Sequence, residues 1–249
     1  MNDTVIYTCL TGGYDKLPQY DVIDSEFDYI CFSNEFPENS RQGIWVIRPI
    51  PFENDDNIRT SRYVKLLPHH VLKNYKYSLW LDSNLIITDS SIYELIKSRI
   101  KEGGMWYGIK HPDRDCIYDE AITCFCEART ELKETKRQMD FLRMENYPKH
   151  YGLFENNLIL RKHNDEAVKG IDECWWKLFQ KYTKRDQLSL FYVFWEKSFS
   201  PKLFVDEGIT TRNIGGIIHN PHSKRAFTQR VHSYLKRKYN KFIIKFISM

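Results

Sequence analysis

The chain has 249 residues, 42% hydrophobic, 15% aromatic and 28% charged, a composition that supplies a packed core and excludes a disordered, fibrous or low-complexity chain. No run approaches the roughly 18 consecutive apolar residues of a membrane span, and the opening MNDTVIYTCLTGGYD lacks the basic leader and apolar core of a secretory signal, so a cytoplasmic location is expected. The net charge of +4 is uneven: eight of the 37 bases and none of the 33 acids fall in residues 223–249, which leaves 29 bases, and a charge of −4, for residues 1–222.

That division predicts one large domain over 1–222 and a basic amphipathic C-terminal helix over 223–249. Residues 4–10 (TVIYTCL) are β-branched and aromatic and stop at Thr11-Gly12-Gly13-Tyr14-Asp15, which reads as strand then loop. Strands follow at 28–33 (DYICFS) and 43–49 (GIWVIRP). Helical spacing of Tyr63, Leu67 and Val71 predicts a helix over 58–75, with Pro68 as a kink or the first turn of a second helix. The run 77–81 (YSLWL) is apolar almost throughout, as expected of a central strand in a helix-covered sheet. Beyond it come a helix over 92–101, a strand over 105–109, a long charged helix over 119–143 and a strand over 153–160 (LFENNLIL). Val168, Ile171, Trp175, Leu178 and Tyr182 step by three and four and predict an amphipathic helix, and 186–197 predicts a buried one. The pattern is that of an α/β fold around a mixed, mostly parallel sheet. Cysteines 9, 31, 116, 124, 126 and 174 offer no second Cys or His pair to complete a zinc set, so reduced thiols are expected.

The triplet Asp82-Ser83-Asn84 interrupts two apolar runs, LWL and LII, and so sits at the carboxyl end of a central strand, where open α/β sheets bind ligands. Asp82 and Asn84 lie two residues apart and share one face of an extended segment, so they can share one hard cation such as Mn²⁺ or Mg²⁺. An aspartate that only forms a turn is the simpler alternative.

Six segments in order, YTCLTGGYDKL, DYICFSNE, RYVKLLPH, YSLWLDSN, ENNLILRKHN and RDQLSLFYVFW, together resemble the TOD/MUCI70-type glycosyltransferase-like domain family, once catalogued as domain of unknown function 616. The resemblance covers about residues 4–200. It implies a GT-A-like, Rossmann-like domain that uses a nucleotide-sugar donor, with a DxD motif holding Mn²⁺ or Mg²⁺ on the donor diphosphate. Here the DxD position reads Asp82-Ser83-Asn84, with an amide, a weaker ligand, where the second carboxylate would stand.

By that analogy Thr8, Thr11, Gly12, Gly13 and Tyr14 lie near the nucleobase and ribose, with Ser83 also on the donor side. Arg59, Arg62 and Lys65 share a helical face and either clamp phosphate or form a solvated basic face. Glu155-Asn156-Asn157 interrupts an apolar strand, so Asn156 and Asn157 are candidates for acceptor or sugar contacts. Asp186-Gln187 resembles the DQ element of retaining GT-A enzymes, which favours retention and a catalytic place for both; Asp186 alone also suits an N-cap. An inverting enzyme would instead need a general base, which Asp186 or Glu155 can supply. His111 and Arg114 fall in a polar loop and are candidates for phosphate or acceptor contacts. His219 is the candidate third metal ligand, and His222 the second choice.

In the tail, Val231, Tyr234, Leu235, Tyr239, Phe242, Ile243 and Phe246 recur at helical spacing among Lys and Arg, as in a helix that lies on an anionic membrane surface or packs on the domain. No nucleic-acid module is present, so no nucleic-acid partner is expected. The expected function is transfer of a sugar to a surface polysaccharide or lipid-linked glycan at the inner face of the membrane. The alternative is a noncatalytic nucleotide-sugar or glycan-binding protein, for which Asn84 is the support.

Overall fold

The structure, a computed structural model, describes residues 2–13, 15–221 and 227–246. Strands β1 (Thr4–Leu10), β2 (Phe27–Ser33), β3 (Arg41–Gln42) and β4 (Trp45–Arg48) come first, then helices α1 (Asn57–Leu66) and α2 (Pro68–Val71). Strands β5 (Tyr77–Leu81) and β6 (Leu85–Ile87) precede α3 (Ser91–Lys101), β7 (Trp106–Lys110), α4 (Ile117–Cys126) and α5 (Leu132–Met144). The chain continues through β8 (Phe154–Arg161), α6 (Glu166–Lys181), α7 (Gln187–Glu196), β9 (Lys202–Leu203), β10 (Ile217–His219) and α8 (Phe227–Ile243).

Eight strands form one sheet in the order β3-β4-β2-β1-β5-β8-β7-β9. Strands β4, β2, β1 and β5 run parallel. β8 runs against both β5 and β7, so the start of β8 meets the ends of those two strands at one edge of the sheet. The continuous apolar runs follow from burial on both faces: Val5, Tyr7 and Cys9 pack with Trp80, Trp106, Trp175 and Phe194 on one side. Ile6, Leu10, Leu79, Leu81, Trp45 and Tyr93 fill the other.

One charged group is sealed in the first of these layers. Arg161, at the end of β8, is fully buried and pairs with Asp172 of α6 at 2.7 Å. Its other nitrogen donates to the Tyr7 hydroxyl at 2.7 Å and to the Lys65 carbonyl at 2.5 Å. A single guanidinium thus ties β1, α1, β8 and α6 together.

One expectation is corrected, and one alternative is decided. The long helix over 119–143 is two helices. Ala128 (φ 55) leaves α4 in the left-handed region, its amide bonds Phe125 and the Arg129 amide bonds the Cys124 carbonyl, a Schellman ending built without glycine. The segment 58–75 divides at Leu67, and Pro68 opens α2 at its first turn, where a missing amide hydrogen costs nothing. The short strands β3 and β9 carry too few residues for a periodicity to show.

Helix α8 rests on the domain through polar groups. Asn240 is buried and donates to the Phe125 carbonyl at 2.6 Å, while Lys241 and Lys236 pair with Glu127 and Glu131 at 2.8 and 2.5 Å. Val231, Tyr234, Leu235, Tyr239, Phe242 and Phe246 stay exposed.

Candidate active site

The edge of the sheet where β1, β5 and β7 end and β8 begins collects the polar residues that interrupt the strands. Asp82 follows β5 directly; its amide donates to the Asn157 carbonyl at 2.9 Å, which fixes the triplet against β8. Its side chain is 33% exposed. The indole Nε1 of Trp80 donates to Asp82 Oδ1 at 2.7 Å, and the Lys65 ammonium approaches the same oxygen at 3.5 Å. Trp80 reaches it because residues two apart on a strand share a face. Among the described residues both contacts fall on Oδ1, which leaves Oδ2 for a ligand.

Lys65 is fully buried beside the Trp80 ring, 5.4 Å from its centroid, and its ammonium lies 2.7 Å from Asp186 Oδ2. Arg62, one turn earlier on α1, places Nε 3.1 Å from the same oxygen. Arg62 and Lys65 therefore converge on the site, as their shared helical face predicts. Arg59 does not. Its guanidinium turns to the C-terminal end of α6, bonding the Phe179 and Gln180 carbonyls at 2.8 and 3.2 Å, where helix carbonyls lack amide partners. The N-cap alternative for Asp186 also fails, since its carboxylate makes no capping bond and goes to the two cations instead.

On the other side of Asp82, β8 bulges. Between the pairs Gly108 with Ile159 and Lys110 with Phe154, two steps along β7 face five along β8. The excess residues are Glu155, Asn156 and Asn157, and Asn156 adopts a left-handed φ of 36°. Bulges of this kind re-aim side chains next to functional sites. Among the described residues, Glu155 Oε2, both terminal atoms of the Asn156 amide, and Asn157 Oδ1 are buried and unpartnered. Glu155 Oε1 accepts from Arg212, and Asn157 Nδ2 donates to Thr211 Oγ1 at 2.8 Å. The same Thr211 hydroxyl lies 3.0 Å from His219 Nε2.

His219 is brought to the triplet by the ribbon of β6 and β10, in which it pairs with Leu85 while the Asn220 amide donates to the Asn84 carbonyl at 2.7 Å. Asp82, half-buried Asn84 and exposed His219 thus border one place. Partial desolvation of the ring and the nearby Arg212 lower the His219 pKa, which favours the neutral imidazole that a metal ligand needs. An oxygen, oxygen and nitrogen donor set with one carboxylate, completed by phosphate oxygens, fits Mn²⁺ or Mg²⁺. His222 lies outside the described residues.

The loop after β1 supplies the opposite wall. Gly12 and Gly13 both have left-handed φ, 69° and 59°, and the Gly13 amide donates to Glu35 at 2.7 Å. Thr11 Oγ1 bonds the Asn57 carbonyl at 3.2 Å, and Ser83 Oγ donates to Asp15 at 2.7 Å, closing the loop onto β5. Tyr14 lies outside the described residues. Thr8 lies mid-strand in β1 with no exposed surface, and among the described residues its buried hydroxyl has no partner.

Two further expectations change. Gln187 donates to the Phe154 carbonyl at 3.1 Å and accepts from Arg185, so its amide holds α7 against the bulge and is not open to a sugar. Arg114 binds the buried Glu120 at 2.6 Å. His111 accepts the Asp113 and Arg114 amides on Nδ1, both at 3.2 Å, and burial lowers its pKa, so it shapes the loop as a neutral acceptor. Trp80, Glu120, Thr211 and Arg212 carry no local pattern that marks them as site residues; the two-residue step from Trp80 to Asp82 is the one local signal among them.

A family model described as TOD1/MUCI70, glycosyltransferase-like domain, matches residues 4–214. The probable hexosyltransferase MUCI70 of Arabidopsis thaliana is 26% identical over 165 residues, 61% of this chain and 27% of that protein. The chain therefore spans about a quarter of the length of that relative. Among solved structures, core-mannan synthase A of Aspergillus fumigatus in its Mn/GDP form is similar with a TM-score of 0.44 and 10% identity, over 78% of this chain and 70% of that one. The mannosyltransferase Ktr4p of S. cerevisiae gives a TM-score of 0.36 and 10% identity, over 77% and 62%.

The charges around Asp186 carry a pH signature. Burial alone would raise its carboxyl pKa, but Lys65, Arg62 and Arg185 outweigh burial and hold it well below the usual carboxylate range. Stabilisation from a depressed carboxyl is complete above its unfolded pKa, about 3.9, and is lost as pH falls through the folded value. The stability difference between wild type and Asp186→Asn, read from urea midpoints, should be of the order of 2–3 kcal/mol at pH 7 and shrink steadily below about pH 4. A difference independent of pH would show that the carboxylate is not held this way.

Proposed function

The chain belongs to the TOD1/MUCI70 glycosyltransferase-like domain family, and from that membership and the site's chemistry we propose that it is a nucleotide-sugar-dependent glycosyltransferase of GT-A type. In this reading it moves a hexose from a nucleoside-diphosphate donor to a surface polysaccharide or lipid-linked glycan. The observation that carries the reading is the pairing of Asp82 with the β8 bulge. A partly exposed carboxylate at a strand end lies next to four buried, unpartnered polar atoms on Glu155, Asn156 and Asn157. Buried polar atoms without partners are uncommon, and sugar hydroxyls, each both donor and acceptor, are the chemistry that satisfies them.

Asp82, Asn84 and His219 would hold the divalent cation, which supplies positive charge where the diphosphate leaves. Arg62 adds a fixed positive charge on the same side. Gly13, beside which a side chain would meet nothing, allows the donor to approach the backbone, Gly12 makes room for the Asn57 side chain, and Ser83 holds the loop that carries them. Lys65 orients Asp82 and is itself oriented by Asp186, so Asp186 acts as a positioning residue. Glu155 keeps one carboxylate oxygen for an acceptor or sugar hydroxyl while Arg212 holds the other.

The proposed acceptor also gives α8 a role. Leu235, Tyr239 and Phe242 share its exposed face with Phe246 just past its end, and Lys238 and Lys245 are exposed beside them. With Asn240 and the Glu127 and Glu131 pairs holding its opposite side on the domain, we propose that this face meets an anionic bilayer at the cytoplasmic side, where a lipid-linked acceptor is presented.

Asp82→Ala should lower turnover of the accepted nucleotide sugar by at least roughly 10²-fold with an unchanged circular dichroism spectrum. The donor is identified first by calorimetric titration of a nucleotide-sugar panel with and without Mn²⁺. Donor binding without turnover on any acceptor would favour the noncatalytic binding protein, and full activity in Asp82→Ala would remove the cation from this site. On vesicles containing phosphatidylserine, Leu235→Glu and Phe242→Glu should each weaken sedimentation-measured binding roughly tenfold, from the apolar surface each would bury. Equal binding by both variants would contradict the membrane face.

A further inference from the structure

Away from this site, two consecutive histidines on α2 and a glutamate on α6 converge in a way that their hydrogen bonding leaves incomplete. His69 Nε2 lies 3.2 Å from Glu173 Oε1, and His70 Nε2 lies 2.8 Å from the same oxygen. The ligand atoms of the three side chains all fall within 4.8 Å of one another. Consecutive helical side chains diverge by about 100°, so convergence of both rings on one carboxylate is a specific arrangement. Their centroids are 4.4 Å apart with the rings inclined at 73°.

The outward partners of the two rings matter as much. His69 Nδ1 faces Asp172 Oδ2 at 3.7 Å, and among the described residues both atoms are buried without a hydrogen-bond partner. His70 Nδ1 lies 3.1 Å from the Tyr63 hydroxyl. If neutral His69 carries its proton on Nε2 toward Glu173, then Nδ1 turns a lone pair onto a carboxylate oxygen in the interior, a costly juxtaposition. With a cation on Nε2 the proton must sit on Nδ1, where it points at the Asp172 carboxylate 3.7 Å away, and a small approach of the ring would satisfy both orphaned atoms. His70 then donates Nδ1–H to Tyr63. Metal-bound histidines almost always donate their second nitrogen to a carboxylate or another oxygen in this manner.

We infer that His69, His70 and Glu173 form a Zn²⁺ site that clips α2 to α6, separate from the residues that face the donor. Two imidazoles and a carboxylate suit zinc better than the hard ions expected at Asp82. Tetrahedral zinc with bonds of about 2.0–2.1 Å sets its ligand atoms about 3.3 Å apart, so the site needs only a small opening of the His70 edge. His69 is 7% exposed, while His70 and Glu173 are 37% and 39% exposed, which leaves the fourth position to water. The clip has a reach into the domain. Asp172 is the partner of Arg161, and Arg161 holds the Lys65 carbonyl at the last turn of α1, immediately before α2. Zinc would therefore stiffen the segment that carries Lys65.

The test uses the full chain after chelation and dialysis, in an Asp82→Ala background so that the other cation site does not contribute. Zn²⁺ alone is the probe, read by equilibrium dialysis and by thermal melting. One zinc per chain and a raised melting temperature are expected. His70→Ala and Glu173→Gln, both at surface-accessible ligands, should lose more than 100-fold in affinity and all of the zinc-dependent melting shift, with metal-free melting temperatures near that of the parent. Tyr63→Phe, which removes only the outer partner of His70, should weaken zinc roughly tenfold. No binding by the Asp82→Ala protein, or equal affinity in His70→Ala and Glu173→Gln, would overturn the assignment. Neither result bears on glycosyl transfer, which rests on other residues.

Discussion

A buried ammonium placed between two carboxylates organises this molecule. Lys65 has no exposed surface to speak of, and a cation in that position is tolerated only when anions meet it. Asp186 meets it at 2.7 Å from α7 and Asp82 at 3.5 Å from the end of β5. Its backbone carbonyl is taken by Arg161, itself neutralised by Asp172. The consequence is a continuous set of contacts from α6 through Arg161 and the Lys65 backbone to the Lys65 ammonium and Asp82 Oδ1. Helix α1 cannot shift without leaving a buried charge uncompensated, so the position of Asp82 is fixed by packing before any ligand arrives. Such preorganisation lets a site act on developing charge without first rearranging.

The opposite principle governs the β8 bulge. There the fold leaves polar atoms unsatisfied, on Glu155 Oε2 and on both ends of the Asn156 amide, and holds Asn156 at a φ that L-residues seldom adopt. One side of the site is thus rigid and charge-balanced, and the other is polar and waiting for partners. That division matches what the proposed donor presents, a charged diphosphate joined to a neutral, hydroxyl-rich sugar.

Much of this was legible in the sequence because it rests on local pattern. The run YSLWL followed by Asp82-Ser83-Asn84 placed the acidic triplet at a strand end, and the three-residue step between Arg62 and Lys65 put both on one face of α1. The family likeness carried by six separate segments agrees with the family match. What escaped was set by tertiary contact. Nothing in the spacing distinguishes Arg59, which caps α6, from Arg62, which reaches Asp186. Asp186 reads equally well as a cap or a catalytic group until Lys65 is seen beside it. Ala128 ends α4 in a conformation usually marked by glycine, so the break between α4 and α5 left no trace in composition. His219 was marked as a candidate ligand by the resemblance, but the pairing of β10 with β6 that brings it beside Asn84 rests on a three-residue strand too short for a periodicity to announce.

The claim on which the account rests is that Asp82 receives a diphosphate-bound cation while Trp80 and Lys65 hold its other oxygen. The indole N–H of Trp80 reports on that oxygen directly, and Mg²⁺ is diamagnetic, so the Trp80 indole resonance can be followed by NMR as GDP or UDP and Mg²⁺ are added. The account predicts a saturable shift when nucleotide and Mg²⁺ are present together, and a much smaller one with either alone. An indole resonance that stays in place at saturating nucleotide and Mg²⁺ would contradict it.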